Sequence, residues 1–327
     1  MYMSIDIQIV IICNHYLKSF KLYCLLLMSI FNSKEGQLLL FGTMRLFKCK
    51  AIIEAYSAKV LVSNHSFSNS SEILACSILG IVSVRGTWSN QFVSHPHLGT
   101  SVDVFFAWGD VTVETYSKSG AKNTTFVKTG FIDGELMNLK DETQNVSFLN
   151  QHQGKCILGF FDNISSYERP NRVKDLHKCF ELLSELLKEN DNLVVVYKPK
   201  TGDLKELYKT DSFSQVSFYI EQERFIILCG ERNVSNRPAE ISGIMDIVLG
   251  FPFSSAAVET AIAGTPSFHV DFSEDKEHPW LSNCGANYIF DSINNTKINL
   301  SKYIRDMDKL NSISDEHIKG VNYYNDY

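Results

Sequence analysis

From residue 51 onward, short apolar runs alternate with segments of helical periodicity. Lys59 to Val62, Ile81 to Val84, Val102 to Trp108 and Phe126 to Thr129 read as strands. Ser71 to Leu79, closed by Gly80, and Val111 to Lys118 read as the helices between them. Residues 134–154 break the rhythm with polar, aperiodic sequence and predict a linker. The alternation then resumes with a strand at Cys156 to Phe161. A helix follows over Arg172 to Glu189, with Val173, Leu176, Cys179, Phe180, Leu183, Leu186 and Leu187 on one face. Further strands are predicted at Leu193 to Tyr197, Phe225 to Cys229 and Gly285 to Phe290, with a short helix at Pro238 to Met245. One or two helices are expected between Lys302 and Lys319. A βαβ rhythm of this kind makes parallel sheets covered on both faces. The expected fold class is therefore α/β with two Rossmann-like domains: residues 1–134, possession of a linker at 135–154, and residues 155–327.

The stretch Asp246 to Asp271 carries the most information. A buried strand (Ile247 to Leu249) leads through Gly250 and Pro252 into a helix that opens at Ser254 and Ser255, and a strand follows at Phe268 to Val270. Gly264 stands where a helix end wants a left-handed residue, and Pro266 prevents continuation. Such a helix presents free backbone N–H groups and its positive dipole end beside two hydroxyls, at the C-terminal end of a strand. Anions bind there in α/β proteins. Glu259, just over a turn along, is placed to accept hydrogen bonds from ribose hydroxyls. Ser is equally a preferred helix cap, so the pair also fits a purely structural role.

Composition narrows the classes. The 327 residues suffice for two cores, and 44% hydrophobic with 21% charged residues is ordinary for a globular chain. A net charge of −6 argues against general nucleic-acid binding. Eight cysteines without C-x-x-C pairing indicate neither a zinc site nor a disulfide framework, and reduced thiols in a cytoplasmic protein account for them. The apolar runs Ile7 to Cys13 and Leu22 to Phe31 are each shorter than the roughly 20 residues that span a bilayer. They are expected to form a strand and a helix of the first domain. No G-x-G-x-x-G, Walker A, G-x-S-x-G or D-x-D motif stands at a strand end, which disfavours dehydrogenase, P-loop, hydrolase and metal-dependent GT-A readings.

Pro252-Phe253-Ser254-Ser255, the small-residue helix after it and Gly264-Thr265-Pro266 resemble the signature of the bacterial polysaccharide biosynthesis PFTS motif family, with Ser for Thr. More broadly, this half is similar to the nucleotide-binding half of GT-B glycosyltransferases. Asp103 to Gly109 and Thr129-Gly130 look like elements of the other half. The resemblance implies two Rossmann-like domains facing a cleft. It implies sugar transfer from a nucleotide-sugar donor to a polysaccharide or lipid-linked acceptor, with no cofactor and no metal, and it allows peripheral association with the inner face of the membrane. The donor site would comprise Lys198, Lys200, Pro252, Ser254, Ser255 and Glu259. Lys198-Pro199-Lys200 directly follows a strand, where a lysine can neutralise phosphate charge and the proline fixes the turn. In the similar bacterial sialyltransferases a His-Pro pair holds the phosphate, and Lys198 replaces that His.

On the acceptor side, Arg85 and Trp88 suit recognition of an anion and a sugar ring, in a loop shared with His95 and His97. His65 and His97 are candidate general bases, since imidazole titrates near neutral pH. Each histidine fits a packing or surface role equally well. Two other readings stay open: a nucleotide-sugar 2-epimerase-like isomerase, and a non-catalytic nucleotide-binding scaffold whose first domain is incomplete.

Overall fold

The computed structural model describes residues 34–63, 70–87, 102–130, 151–162, 170–200, 211–228, 238–251, 254–272 and 288–310. The chain divides into two units, one built on residues up to 107 with 112–128, the other on 108–111 and residues from 129 onward.

The first unit contains α1 (Lys34–Ala55), β1 (Val60–Ser63), α2 (Ser70–Leu79), β2 (Val82–Gly86), β3 (Val104–Ala107), α3 (Asp110–Lys118) and β4 (Thr125–Lys128). Its four strands are parallel and lie in chain order, β1-β2-β3-β4. Right-handed crossovers that always advance in one direction put their helices on one face. The packing agrees: Phe105, Ala107 and Phe126 meet Ile73, Val113 and Tyr116, while Leu61 meets Ile53, Ala75 and Cys76. The other face presents Val60, Val62, Val82 and Val127 as exposed side chains. At the N-terminal end of β3, Asp103 ties the sheet together. Its carboxylate accepts from both the backbone N–H and the hydroxyl of Ser83, each at 2.7 Å, and these bonds hold its pKa below the usual range.

The second unit contains β5 (Cys156–Asp162), α4 (Pro170–Glu189), β6 (Leu193–Lys198), α5 (Asp211–Glu221), β7 (Phe225–Ile227), α6 (Pro238–Ser242), β8 (Ile247–Phe251), α7 (Ser255–Ile262), β9 (Ser267–Val270), β10 (Ile289–Phe290) and α8 (Ile293–Arg305). All six strands are parallel, in the order β7-β6-β5-β8-β9-β10. The chain therefore starts at the centre, winds outward through β6 and β7, then returns to the other side of β5. That is the doubly wound dinucleotide-fold order, with its switch point between β5 and β8. The strands are buried on both faces, as uninterrupted runs such as Leu193 to Tyr197 require. One face packs Phe161, Val196 and Val248 against Ile241 and Ala257. The other is aromatic: Tyr197 stacks on Phe160 with centroids 5.5 Å apart and meets the edge of Phe180 at 5.3 Å.

Two regions differ from the sequence expectation. The first helix of the C-terminal stretch starts at Ile293, ahead of Lys302, and runs to Arg305, with a further helical turn over residues 307–310. Ser292 caps it by accepting from the Asn295 N–H at 3.2 Å, and Thr296, Leu300, Tyr303 and Ile304 form its buried stripe. Asn-rich sequence masks that stripe. Residues 34–55, to which the sequence reading assigns no element, form a 22-residue helix. Among the described residues no helix is long and apolar enough to cross a membrane.

Candidate functional site

Three strand ends meet at the switch point. In register, Phe161 pairs with Lys198, Asp162 with Phe251 and Gly250 with His269. Asp162 and Lys198, the last residues of β5 and β6, thus lie level with the end of β8, where the chain turns into α7. Ligands of doubly wound sheets bind in this crevice, outside the carboxyl ends of the strands.

The turn from β8 into α7 is close-packed because Gly250 has no side chain. A Cβ there would lie 2.7 Å from the Cβ of Ala257 and 3.2 Å from that of Ser254. Ser254 occupies the N-cap position in extended conformation, yet its hydroxyl makes no hydrogen bond to its own helix, and the residue is 2% exposed. Ser255, half-buried, is the first helical residue. The far end of α7 is held rigidly. Gly264, at φ +93°, donates to the Ala261 carbonyl at 3.0 Å, and Thr265 donates to that of Thr260 at 3.0 Å. Those two bonds form a Schellman end. Buried hydroxyls of Thr260 and Ser267, 2.8 Å apart, join the helix to β9.

Lys198 brings the cation. Burial lowers the pKa of its ammonium, and the carboxylates of Glu259 on α7 and Asp162 on β5 act to raise it. Lys198 therefore senses α7 and the end of β5 at once. Asp162, 7% exposed, accepts from the Tyr197 hydroxyl and, at 3.2 Å, from the Lys200 backbone N–H. The sequence reading of this region stopped at Phe161. An acidic residue directly after a buried apolar run, at the first strand of a βα unit, was the available signal for Asp162.

Of the expected donor-side residues, Lys198 ends β6 and is acted on by the charge of Glu259, and Ser254 and Ser255 stand at the start of the helix that carries Glu259. Lys200 contributes its backbone N–H to the Asp162 contact. Pro252 lies outside the described residues, as do Trp88, His65 and His97. Arg85 lies in β2, not in a loop. It is 4% exposed, and its guanidinium stands 3.8 Å from the Glu72 carboxylate. Pairing of β2 with β3 continues through Gly86 and Thr87, which carries the strand past Arg85. Among the described residues no group of three or more His, Cys, Asp or Glu is placed to hold a metal ion.

Comparison with solved structures gives the fold. The chain is similar to S. aureus MnaA, solved with UDP, at TM-score 0.61 and 13% identity, over 88% of this chain and 78% of that one. It is similar to a UDP-GlcNAc 2-epimerase from Neisseria meningitidis bound to UDP-GlcNAc, at TM-score 0.58 and 10% identity, over 86% and 77%. A glycosyltransferase from Rickettsia africae aligns at TM-score 0.54 and 11% identity, over 86% and 76%. The fold is the α/β, parallel-sheet fold shared by GT-B glycosyltransferases and UDP-GlcNAc 2-epimerases. No protein-family model matches the chain, and no curated protein matches it.

Proposed function

We propose that this chain is a nucleotide-sugar enzyme of the GT-B type, transferring a glycosyl unit from a nucleotide-sugar donor to an acceptor hydroxyl in surface polysaccharide biosynthesis. The observation that carries this reading is the register of the strand ends at the β5/β8 switch point: Lys198 ends β6 level with Phe161, and Asp162 ends β5 level with Phe251, just ahead of α7. The first N–H groups of α7, the Ser254 and Ser255 hydroxyls and the Lys198 ammonium would together neutralise a diphosphate. Glu259, a turn further along α7, would accept from the ribose hydroxyls. In the reaction the bond from the sugar anomeric carbon to the phosphate oxygen breaks. The acceptor oxygen bonds to that carbon and releases its proton, and the nucleotide leaves with the electron pair. Helix dipole and lysine stabilise the charge developing on that leaving group. Trp88 is assigned to the acceptor and His65 or His97 to proton removal, whereas Arg85, buried in β2 beside Glu72, is withdrawn from that role.

A second reading is favoured by the fold neighbours. MnaA and the Neisseria epimerase align at higher TM-scores than the Rickettsia glycosyltransferase. An isomerase of nucleotide-sugars would use the same anion site without an acceptor.

A thermal-shift screen with UDP, CMP, CDP, GDP and dTDP, run on the wild type and Ser255→Ala, tests the common ground. A ligand that binds only the folded state raises Tm, by roughly 2.7 kcal/mol of stabilisation at a hundredfold excess over Kd. We expect one nucleotide to stabilise the wild type and to lose most of that effect in Ser255→Ala. No shift with any of the five sinks both readings. Product analysis with the matching nucleotide-sugar then separates transfer from isomerisation.

A further inference from the structure

We propose that Asp162 is a positioning residue for the anion site: its buried carboxylate ties the turn after β6 to the end of β5 and so presents Lys198 beside α7. This rests on the reading of that site as a nucleotide-diphosphate site.

The geometry is specific. Both carboxylate oxygens are engaged, Oδ2 by the Tyr197 hydroxyl and Oδ1 by the Lys200 backbone N–H at 3.2 Å. An ionised carboxylate accepts at both oxygens, which no neutral isostere can do. Tyr197 is fully buried and clamped between the Phe160 and Phe180 rings, so its hydroxyl is a fixed point. Pro199 restricts the backbone between the two lysines. The turn Lys198-Pro199-Lys200 is thus anchored on both sides, through Tyr197 just before it and Lys200 at its end.

The same carboxylate also acts on Lys198 by charge. Among the described residues, the charges of Glu259 on α7 and Asp162 on β5 both oppose the lowering that burial imposes on this ammonium. Removing the Asp162 charge takes away one of these opposing effects. The Lys198 pKa then falls further, so the ammonium loses its proton at lower pH.

The test uses full-length wild type, Asp162→Asn and Tyr197→Phe. UDP binding is followed by titration calorimetry between pH 7 and 10, and Lys198 is titrated by NMR after reductive methylation with labelled formaldehyde. Asp162→Asn is expected to bind UDP roughly tenfold more weakly, on the scale of a lost hydrogen bond to a charged group. Its Lys198 titration, and the alkaline loss of UDP binding, should both move to lower pH. Tyr197→Phe keeps the charge, so it should weaken binding with the Lys198 titration unmoved. UDP binding by Asp162→Asn equal to wild type across the range overturns the inference, as does an unmoved Lys198 titration in that variant. Should Asp162→Asn fail to fold, wild-type affinity in Tyr197→Phe overturns it instead. A shifted Lys198 titration with no nucleotide bound by the wild type would support the coupling and overturn the donor-site reading.

Discussion

Replacing Gly250 by alanine tests whether the anion site depends on close approach of α7 to the end of β8. The added Cβ would sit 2.7 Å from the Cβ of Ala257 and 3.2 Å from both the Ser254 Cβ and the His269 Nδ1. Ordinary contact begins at 3.4 Å, so Ala257 must retreat by about 0.7 Å. Ala257 is fully buried on the inner side of α7 and cannot swing away, because its Cβ is fixed to the helix backbone. The helix has to move as a body, against its Schellman end and the Thr260–Ser267 contact. Overpacking of this kind costs about 1–3 kcal/mol. For a unit of this size that is a Tm loss of about 2–12 °C.

Gly159→Ala is the internal comparison. There the new Cβ meets the Met245 sulfur, the flexible end of an adaptable side chain, with Val248 Cγ2 next at 3.1 Å. We expect Gly250→Ala to lose more Tm than Gly159→Ala. Only the former should also weaken nucleotide binding, since it displaces the helix start. Thermal denaturation with and without UDP measures both effects. A Gly250→Ala protein with wild-type Tm and undiminished nucleotide stabilisation would refute the reasoning.

Two further predictions concern the opposite, N-terminal end of the central strands β5 and β8. Burial raises the Asp246 carboxyl above its ordinary 3.8, although its Oδ2 accepts from the Ile157 N–H at 2.7 Å. A raised folded-state pKa means that the folded protein holds this proton more tightly than the unfolded chain. Its contribution is therefore present at low pH and is lost as pH rises from the ordinary carboxylate value through the raised one. Asp246→Asn keeps an acceptor for Ile157 and removes the charge. Its Tm at pH 7 should equal or exceed that of wild type, and this part of the decline above pH 4 should vanish; a Tm lower by several degrees at pH 7 would contradict it. Burial, with the Asp246 charge second, pushes the Cys156 thiol up to about 12. Folded protein should leave Cys156 unalkylated by iodoacetamide at pH 8, as read by peptide mass spectrometry. Modification as fast as that of the less buried Cys49 would sink this assignment.

The unit from Ile247 to Val270 could be read from the chain because its signals are local. An uninterrupted apolar run, a helix start at Ser254, a left-handed Gly264 and a following proline lie within one short window. The long helix α4 was equally legible from its apolar stripe. By contrast, α5 escaped, since Phe213, Val216 and Tyr219 are spaced among serines that favour turns and caps. The start of α8 escaped for the same reason, with asparagine in place of serine.

What the amino-acid order alone determined is the alternation of strands and helices, the parallel α/β class and the helix start at Ser254 and Ser255 after β8. These follow from periodicity and backbone preference, which act over a few residues. The tertiary structure decided the rest. Strand order put the return crossing beside β5, and so set Asp162 level with Phe251 at the end of β8 and Lys198 level with Phe161. It drew Arg85 into β2 next to Glu72. It joined Asp162 to Tyr197 across 35 positions of the chain. Contacts of that range depend on which strands pair and in what register. The order of residues along a strand carries its hydrophobic pattern but does not name its neighbour.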